Sequence, residues 1–229
     1  SSNLLKRKSI SSPKPALDYA TDIAIFMLFV STVTFFDNKQ LLLFSVLIYL
    51  GVMFLRFIVK QYKIDIFTIW GILITLNRFS SVFYSIDPTA TFYQSFSATQ
   101  PIIYAILIIP YLKNAEANLI KTLKSLLIAA SLMVGRLLIT IPREAWGLSR
   151  IGVEINYNAN TVGFILSMSG IISLFLFKYH NSKQFLIFSG LFIFFSLFSG
   201  SRKALAVLFV GILIIMSLSI KNKKRLFLS

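Results

Sequence analysis

The chain has 229 residues, of which 56% are hydrophobic and only 14% are charged. Soluble globular domains carry about 25% charged residues, so this composition excludes an ordinary water-soluble domain. The absence of cysteine excludes disulfides and thiolate catalysis, and the single histidine argues against a histidine-built metal site. We therefore expect no metal and no other cofactor.

Eight apolar segments follow one another along the chain, and each approaches the roughly 20 residues that a membrane-spanning helix needs. They lie at about 17–36, 40–59, 65–84, 95–112, 119–140, 158–177, 184–199 and 203–220. The pattern predicts an all-α, polytopic transmembrane helical bundle with about eight spans. Residues 1–229 are expected to form a single transmembrane domain, incomplete at its C-terminus because the chain stops soon after the last span.

The distribution of basic residues predicts the orientation of these spans. With a cytoplasmic N-terminus, 16 of the 23 lysines and arginines fall on the cytoplasmic side, as the positive-inside rule requires. Both termini are therefore expected in the cytoplasm, and the net charge of +15 is explained by topology and anionic lipid headgroups, with no nucleic-acid partner. The cytoplasmic set includes Arg56, and the outer set is Lys39, Arg78, Arg136, Arg143, Arg150, Arg202 and Lys203.

Polar residues interrupt the first and third segments. Asp18 and Asp22 share one helix face at i, i+4, and we expect a topological or structural role for them. Arg78 follows Asn77 inside the third segment, and an intramembrane arginine is by default a functional hypothesis. The alternative for Arg78 is structural pairing with Asp87 or Asp22.

The longest polar segment on the outer side lies between the fifth and sixth spans. It contains Arg143 and Arg150 and reaches the sixth span at Asn160 and Thr161. Asn160 as an N-cap would leave backbone N–H groups and a positive dipole end facing outward, which attracts phosphate. The alternative is a solvated loop with ordinary capping and an interfacial Trp146.

His180 lies between Lys178 and Lys183 in a predicted cytoplasmic loop. A histidine on that side cannot be the base for a substrate handled outside. We interpret it as a solvated loop residue.

Two apolar runs, 184–198 and 204–220, are together too long for one span, so the chain must turn at 199–201. That Ser-Gly-Ser turn offers hydroxyls and a permissive glycine, which together favour an anion nest. Arg202 follows the turn and can hold a phosphate through two parallel hydrogen bonds, with Lys203 beside it. The alternative is a pair of interfacial anchors that snorkel to headgroups; we favour the functional interpretation because the turn is predicted to lie outside, against the general bias.

Three pieces of the chain resemble the bacterial O-antigen ligase and O-antigen polymerase superfamily, which are polytopic membrane glycosyltransferases. Ser85-Ile86-Asp87-Pro88 resembles the Ser-x-Asp-Pro loop of that family. Arg150-Ile151-Gly152 with Asn158-Ala159-Asn160 and Gly163 resembles its Arg-x-Gly…Asn-Pro-Asn motif, with Ala159 in place of the proline. Ser199-Gly200-Ser201-Arg202-Lys203-Ala204 resembles its Ser-x-Ser-Arg-Gly/Lys-Ala step. The resemblance covers most of the chain, whereas family members continue into a larger external loop and further spans.

The resemblance implies a metal-independent sugar transfer at the outer face of the bacterial cytoplasmic membrane. The donor would be a glycan on undecaprenyl diphosphate, and the acceptor a hydroxyl of another lipid-linked glycan or of a lipid core. Arg202 and Arg150 are then the expected catalytic residues, stabilising the diphosphate that leaves. Substrate binding is expected from Asn160, Lys203, Ser201 and Arg143, and the weak candidates for a base are Glu144 and Glu154.

Further partners implied by this interpretation are membrane lipids and polysaccharide-assembly proteins. The residues leave ligase and polymerase activity equally open. A lipid-linked-glycan transporter or other envelope carrier would use the same outer arginines, and a truncated chain without activity is a third alternative.

Overall fold

The computed structural model describes residues 15–60, 66–142 and 158–227, with side chains at 16–59, 66–142 and 158–217. Most of these residues are helical, and they contain no strand. The helices are α1 (Pro15–Phe29), α2 (Lys39–Lys60), α3 (Ile66–Ser80), α4 (Pro88–Asn114), α5 (Glu116–Thr140), α6 (Ala159–His180), α7 (Lys183–Phe198) and α8 (Arg202–Phe227). A π-helical turn, Val30–Thr34, extends α1, and a 3₁₀ turn, Ser81–Tyr84, follows α3.

Each predicted apolar segment overlaps one of these eight helices, and most ends agree within a few residues. With the π-helical turn counted as part of α1, two ends differ by seven residues: α8 ends at Phe227 and not near position 220, and α4 begins at Pro88 and not near position 95. Asp87 caps this helix by accepting a hydrogen bond from the Ala90 N–H at 3.0 Å. Proline at the first helical position favours the same start, since it has no N–H to leave unsatisfied. Capping therefore extends the helix beyond its apolar portion.

Six stretches in the described residues are long and apolar enough to cross a membrane, and together they make the chain a multi-pass membrane protein. They correspond to α1 with its π-helical turn, α2, α3 with its 3₁₀ turn, α4, α5 and α6. Large apolar side chains such as Phe54, Trp70 and Phe209 are more than 60% exposed, as expected for surfaces that face hydrocarbon. Helix α7 has only 16 residues, so eight complete crossings stay a prediction.

The chain forms two compact units, and α1, α2 and α5 contribute residues to both. The first unit contains the described residues up to Ala24 together with Val46–Leu119. The second contains Ile25–Ser45 together with the described residues from Ile120 onward.

The first unit encloses a charged group in its interior. Arg56 is 0% exposed, and its Nη1 lies 2.6 Å from Asp18 Oδ1 and 3.2 Å from Thr21 Oγ1. The guanidinium carbon lies 4.5 Å from the centre of the Tyr111 ring, and the Tyr111 hydroxyl donates to Asp22. These five residues are called the Arg56 cluster below.

From the sequence, Arg56 was counted only among the charges on the cytoplasmic side, and the structure adds its position inside a helix. It lies within α2, four residues before the end of that helix. A buried charge is tolerated only when it is paired and hydrogen-bonded. The i, i+4 carboxylates Asp18 and Asp22 contribute to that environment, in line with the structural role expected for them.

The second unit has an apolar core built from α5, α6 and α7. On α5 the buried positions recur every three or four residues, which is the pattern of one helix face. They pack with Val162 and Leu166 of α6, with Phe192 of α7 and with Val33 of the π-helical turn. This core holds the start of α6, where site residues were predicted.

The π-helical turn is tied to α5 by polar contacts. The Thr34 hydroxyl donates to the Ala129 carbonyl at 2.9 Å, and Arg136 Nη1 donates to the Thr34 carbonyl at 2.6 Å. Arg136 also forms two parallel bonds with the Asp37 carboxylate, at 2.7 and 2.6 Å. Those hydrogen bonds hold the pKa of Asp37, in the loop after the turn, below its usual value.

Candidate functional site

The start of α6 is fixed by Asn158 and not by Asn160. Asn158 Oδ1 accepts from the Asn160 N–H at 2.9 Å, and the helix begins at Ala159. The prediction of Asn160 as N-cap was therefore wrong by two residues. Either asparagine has the short side-chain oxygen that caps a helix, and the apolar pattern cannot distinguish them. Asn160 lies in the first turn with its side chain exposed.

The turn between α7 and α8 depends on glycine and serine. Gly200 has φ of 62°, a left-handed conformation that glycine adopts without steric cost. The Ser201 N–H donates to Ser199 Oγ at 3.3 Å, and Ser201 Oγ accepts from the Ala204 N–H at 3.2 Å. Ser201 thus caps α8, and the turn predicted at 199–201 is confirmed.

The α6 start and this turn lie against one another, and Gly163 makes their approach possible. A methyl group added at Gly163 would overlap Ser199 Oγ, and it would lie 2.9 Å from Ala204 Cβ and 3.0 Å from Ser201 Cβ. Only a residue without a side chain fits this contact. Gly163 lies one helical turn after Asn160, so two of the predicted site segments meet here.

Buried serines connect the three helices beneath this contact. Ser167 Oγ of α6 lies 2.7 Å from Ser196 Oγ of α7 and donates to the Ala204 carbonyl of α8 at 2.9 Å. Ser196 Oγ also donates to the Gly163 carbonyl at 3.3 Å. Hydrogen bonds between helices in hydrocarbon contribute roughly 0.6 kcal/mol each, up to about 1.7. They therefore stabilise the arrangement of the α6 start and the α8 start.

Arg202 and Lys203 occupy the first two positions of α8, and both side chains are exposed. A cation at the positive end of a helix dipole destabilises the helix by about 0.3–1 kcal/mol at an exposed site, and two cations lie here. An anion bound at this end would relieve that destabilisation. Ser201, by contrast, is 2% exposed and caps the helix, so its contact with a substrate stays a prediction.

The structure brings together part of the predicted site. Asn160 and the sequence from Ser201 to Lys203 belong to segments in direct contact. Arg150 and Arg143 lie outside the described residues, as do Glu144 and Glu154. Their roles stay predictions.

Two other polar residues singled out in the sequence lie apart from this arrangement. Arg78 is in the last turn of α3 with an exposed side chain. Of the partners predicted for it, Asp87 caps α4 and Asp22 accepts from Tyr111. His180 is the exposed last residue of α6, and its ring stacks on Phe185 with ring centroids 5.9 Å apart.

Sequence reasoning missed the Arg56 cluster as an interior feature. The signal was present, because Arg56 falls inside the apolar run 40–59 while Asp18 and Asp22 share one face of α1. The positive-inside count uses loop charges and treats any basic residue near a segment end as a loop residue. It therefore cannot recognise an arginine drawn into a helix interface by carboxylates.

Within the described ranges, no group of three or more histidines, aspartates and glutamates is arranged to hold a metal ion. Comparison of the chain with family models, with curated proteins and with solved structures found no match.

Proposed function

We propose that the chain is a membrane glycosyltransferase that polymerises or ligates undecaprenyl-diphosphate-linked glycans at the outer face of the bacterial cytoplasmic membrane. The observation that carries the proposal is the contact at Gly163. It places the α6 start, with Asn160, against the turn that presents Arg202 and Lys203. These are two of the three pieces that resemble the O-antigen ligase and polymerase superfamily.

In the proposed reaction, an acceptor hydroxyl oxygen attacks the anomeric carbon of the donor sugar. The bond from that carbon to the diphosphate oxygen breaks, and undecaprenyl diphosphate leaves with the bonding electron pair. Negative charge develops on the leaving oxygen, and Arg202 and Arg150 stabilise it through charge-assisted hydrogen bonds. The acceptor proton passes to a base, for which Glu144 and Glu154 are the candidates.

The remaining predicted residues bind and orient the substrate. Lys203 adds a second positive charge next to Arg202, and Arg143 adds one from the outer loop. Asn160 offers an amide at the start of α6, and Ser201 fixes the conformation from which Arg202 projects. An anionic group here is favoured by the α8 dipole as well as by the side-chain charges.

A transfer assay with purified protein tests this proposal. The probe is a fluorescent saccharide on undecaprenyl diphosphate, and the products are released undecaprenyl diphosphate and a longer glycan. Arg202→Ala should lower the transfer rate by roughly 10²–10³-fold, as loss of one oxyanion stabiliser does. Arg202→Lys should recover only part of it, because lysine cannot form two parallel bonds. Lys183→Ala, at the opposite end of α7, is the matched control and should transfer normally.

Three outcomes would contradict the proposal in different ways. Equal transfer by the Arg202→Ala and wild-type proteins would refute the site. Movement of the probe between leaflets without product would favour the lipid-linked-glycan carrier. If the protein showed no transfer and no movement of the probe, enzymatic activity of this chain would be excluded.

A further inference from the structure

A cleft of about 280 Å³ lies between α5 and α7 in the second unit, away from the α8 turn. Its walls are Lys124, Leu127, Ile128 and Ser131 of α5 and Phe185 and Phe188 of α7. Ile128 is 50% exposed and Phe188 is 40% exposed. The cleft therefore opens on the surface of the helices.

The aromatic wall is held in place by ring contacts. Phe188 stacks on Phe192 with ring centroids 6.2 Å apart, and Phe192 is fully buried in the core. Phe185 stacks on His180 at the end of α6. Aromatic pairs of this kind contribute beyond their buried area, so the cleft is preformed by the packing.

The cleft walls are mostly apolar, and the two polar residues among them are Ser131 and Lys124. The Ser131 hydroxyl donates to the Leu127 carbonyl of its own helix at 2.8 Å. Lys124 is the one charged side chain among the lining residues, and it is exposed. A lysine stem lies along apolar surface while its ammonium reaches for the headgroup region. The cleft thus combines apolar walls with the positive charge of Lys124.

We propose that this cleft binds an anionic phospholipid. One acyl chain would lie along Leu127, Ile128 and Phe188, and the phosphate would contact the Lys124 ammonium. Lipid surrounds any membrane-spanning chain, so an amphiphile is the molecule in contact with this surface. A single cation above an apolar wall is complementary to a negatively charged headgroup. This site is independent of the proposed glycan transfer.

Native mass spectrometry of the purified protein tests the proposal, with phosphatidylglycerol as the anionic probe and phosphatidylcholine as the zwitterionic one. Wild-type protein should bind one phosphatidylglycerol more tightly than any phosphatidylcholine. Lys124→Gln should weaken that binding about fivefold, the effect of one lysine on attraction to an anionic headgroup. Ile128→Trp should abolish it by filling the cleft while the lysine is retained.

Lys121→Gln removes the same charge one turn earlier on α5, outside the cleft wall, and should leave the binding unchanged. Thermal unfolding of each variant establishes that the protein is folded. Equal phosphatidylglycerol binding by Lys124→Gln and wild type would overturn the proposal. Equal binding of phosphatidylcholine and phosphatidylglycerol would also overturn it, because it would indicate only nonspecific surrounding lipid.

Discussion

Gly163 is the residue at which the candidate site is most sensitive to a small change. Because an added methyl would overlap Ser199 Oγ, we expect Gly163→Ala to push α6 away from the turn. Overpacking of this kind costs about 1–3 kcal/mol. Thermal unfolding in non-ionic detergent, followed by circular dichroism, should show a lower Tm.

The matched control is Gly190→Ala on α7, where an added Cβ meets nothing within 4 Å. Alanine is favoured over glycine within a helix by about 0.5–1 kcal/mol, so this variant should unfold at an equal or higher temperature. If both variants lost the same stability, the loss would not arise from the contact at Gly163.

Asp37 gives the protein a specific response to acid. Its pKa lies below the usual value of 3.8 because Arg136 hydrogen-bonds the charged carboxylate. The stabilisation is therefore complete above pH 3.8 and disappears as the pH falls through the lowered value. We expect Asp37→Asn to have a lower Tm than wild type at pH 7, and the difference to shrink below pH 3.8.

The measurement is Tm from pH 7 to pH 3 for both proteins. Arg136→Gln should also move toward wild type below pH 3.8, but it should keep a residual deficit, because it loses the hydrogen bond to the Thr34 carbonyl as well. A difference between Asp37→Asn and wild type that stays constant down to pH 3 would contradict the assignment.

At the scale of helices, the sequence pattern was a reliable guide to where each element lies. A long apolar segment identifies a membrane helix, because in hydrocarbon the backbone N–H and C=O groups must form hydrogen bonds with one another. The same pattern says nothing about polar ends, and so the start of α4 was misplaced and Asn160 was taken for the cap of α6. For the candidate site, the turn at 199–201 could be predicted because the two apolar runs around it are together too long for one span. Its contact with Gly163 could not, because it depends on how α6 packs against the turn in three dimensions.

The Arg56 cluster joins α1, α2 and α4 within the first unit, and it yields a prediction for the pairing of helices. Removing one partner of a buried ion pair leaves the other uncompensated and costs about 3–5 kcal/mol. Asp18 is partly exposed, so Asp18→Asn should destabilise less than that, by roughly 1–3 kcal/mol. The double variant Asp18→Leu/Arg56→Met should recover much of the loss, because it removes both charges.

Unfolding by sodium dodecyl sulfate in mixed micelles provides the measurement for this comparison. The cycle uses Asp18→Leu, Arg56→Met and the double variant, and their three free-energy differences give the coupling between the two side chains. A double variant as unstable as the sum of the two single variants would show that the charges are not coupled.

At the scale of the whole chain, the remaining prediction concerns orientation. Helix α6 has 22 residues, and a rise of 1.5 Å per residue gives it about 33 Å, enough to cross the hydrocarbon layer. Its two ends should therefore be accessible from opposite sides of the membrane. The chain has no cysteine, so single cysteines report accessibility without background.

In intact cells, we expect an impermeant maleimide to label Asn160→Cys and Arg202→Cys, but His180→Cys only after the membrane is opened. The last variant is the control for sidedness. If positions 160 and 202 were labelled from different sides, the contact at Gly163 and the proposed site would both be refuted.

The π-helical turn at Val30–Thr34 contains one residue more than an α-helical turn would use. Each residue of an α-helix turns the chain by about 100°, whereas the wider π-helical turn spreads about the same rotation over one residue more. Deleting Ser31 would therefore regularise the helix and leave Thr34 facing Ala129 and Arg136. Deleting a residue from the regular part of α1 would instead rotate Thr34 by about 100° relative to the start of the helix, and either α1 or the contacts of Thr34 with α5 would have to give way.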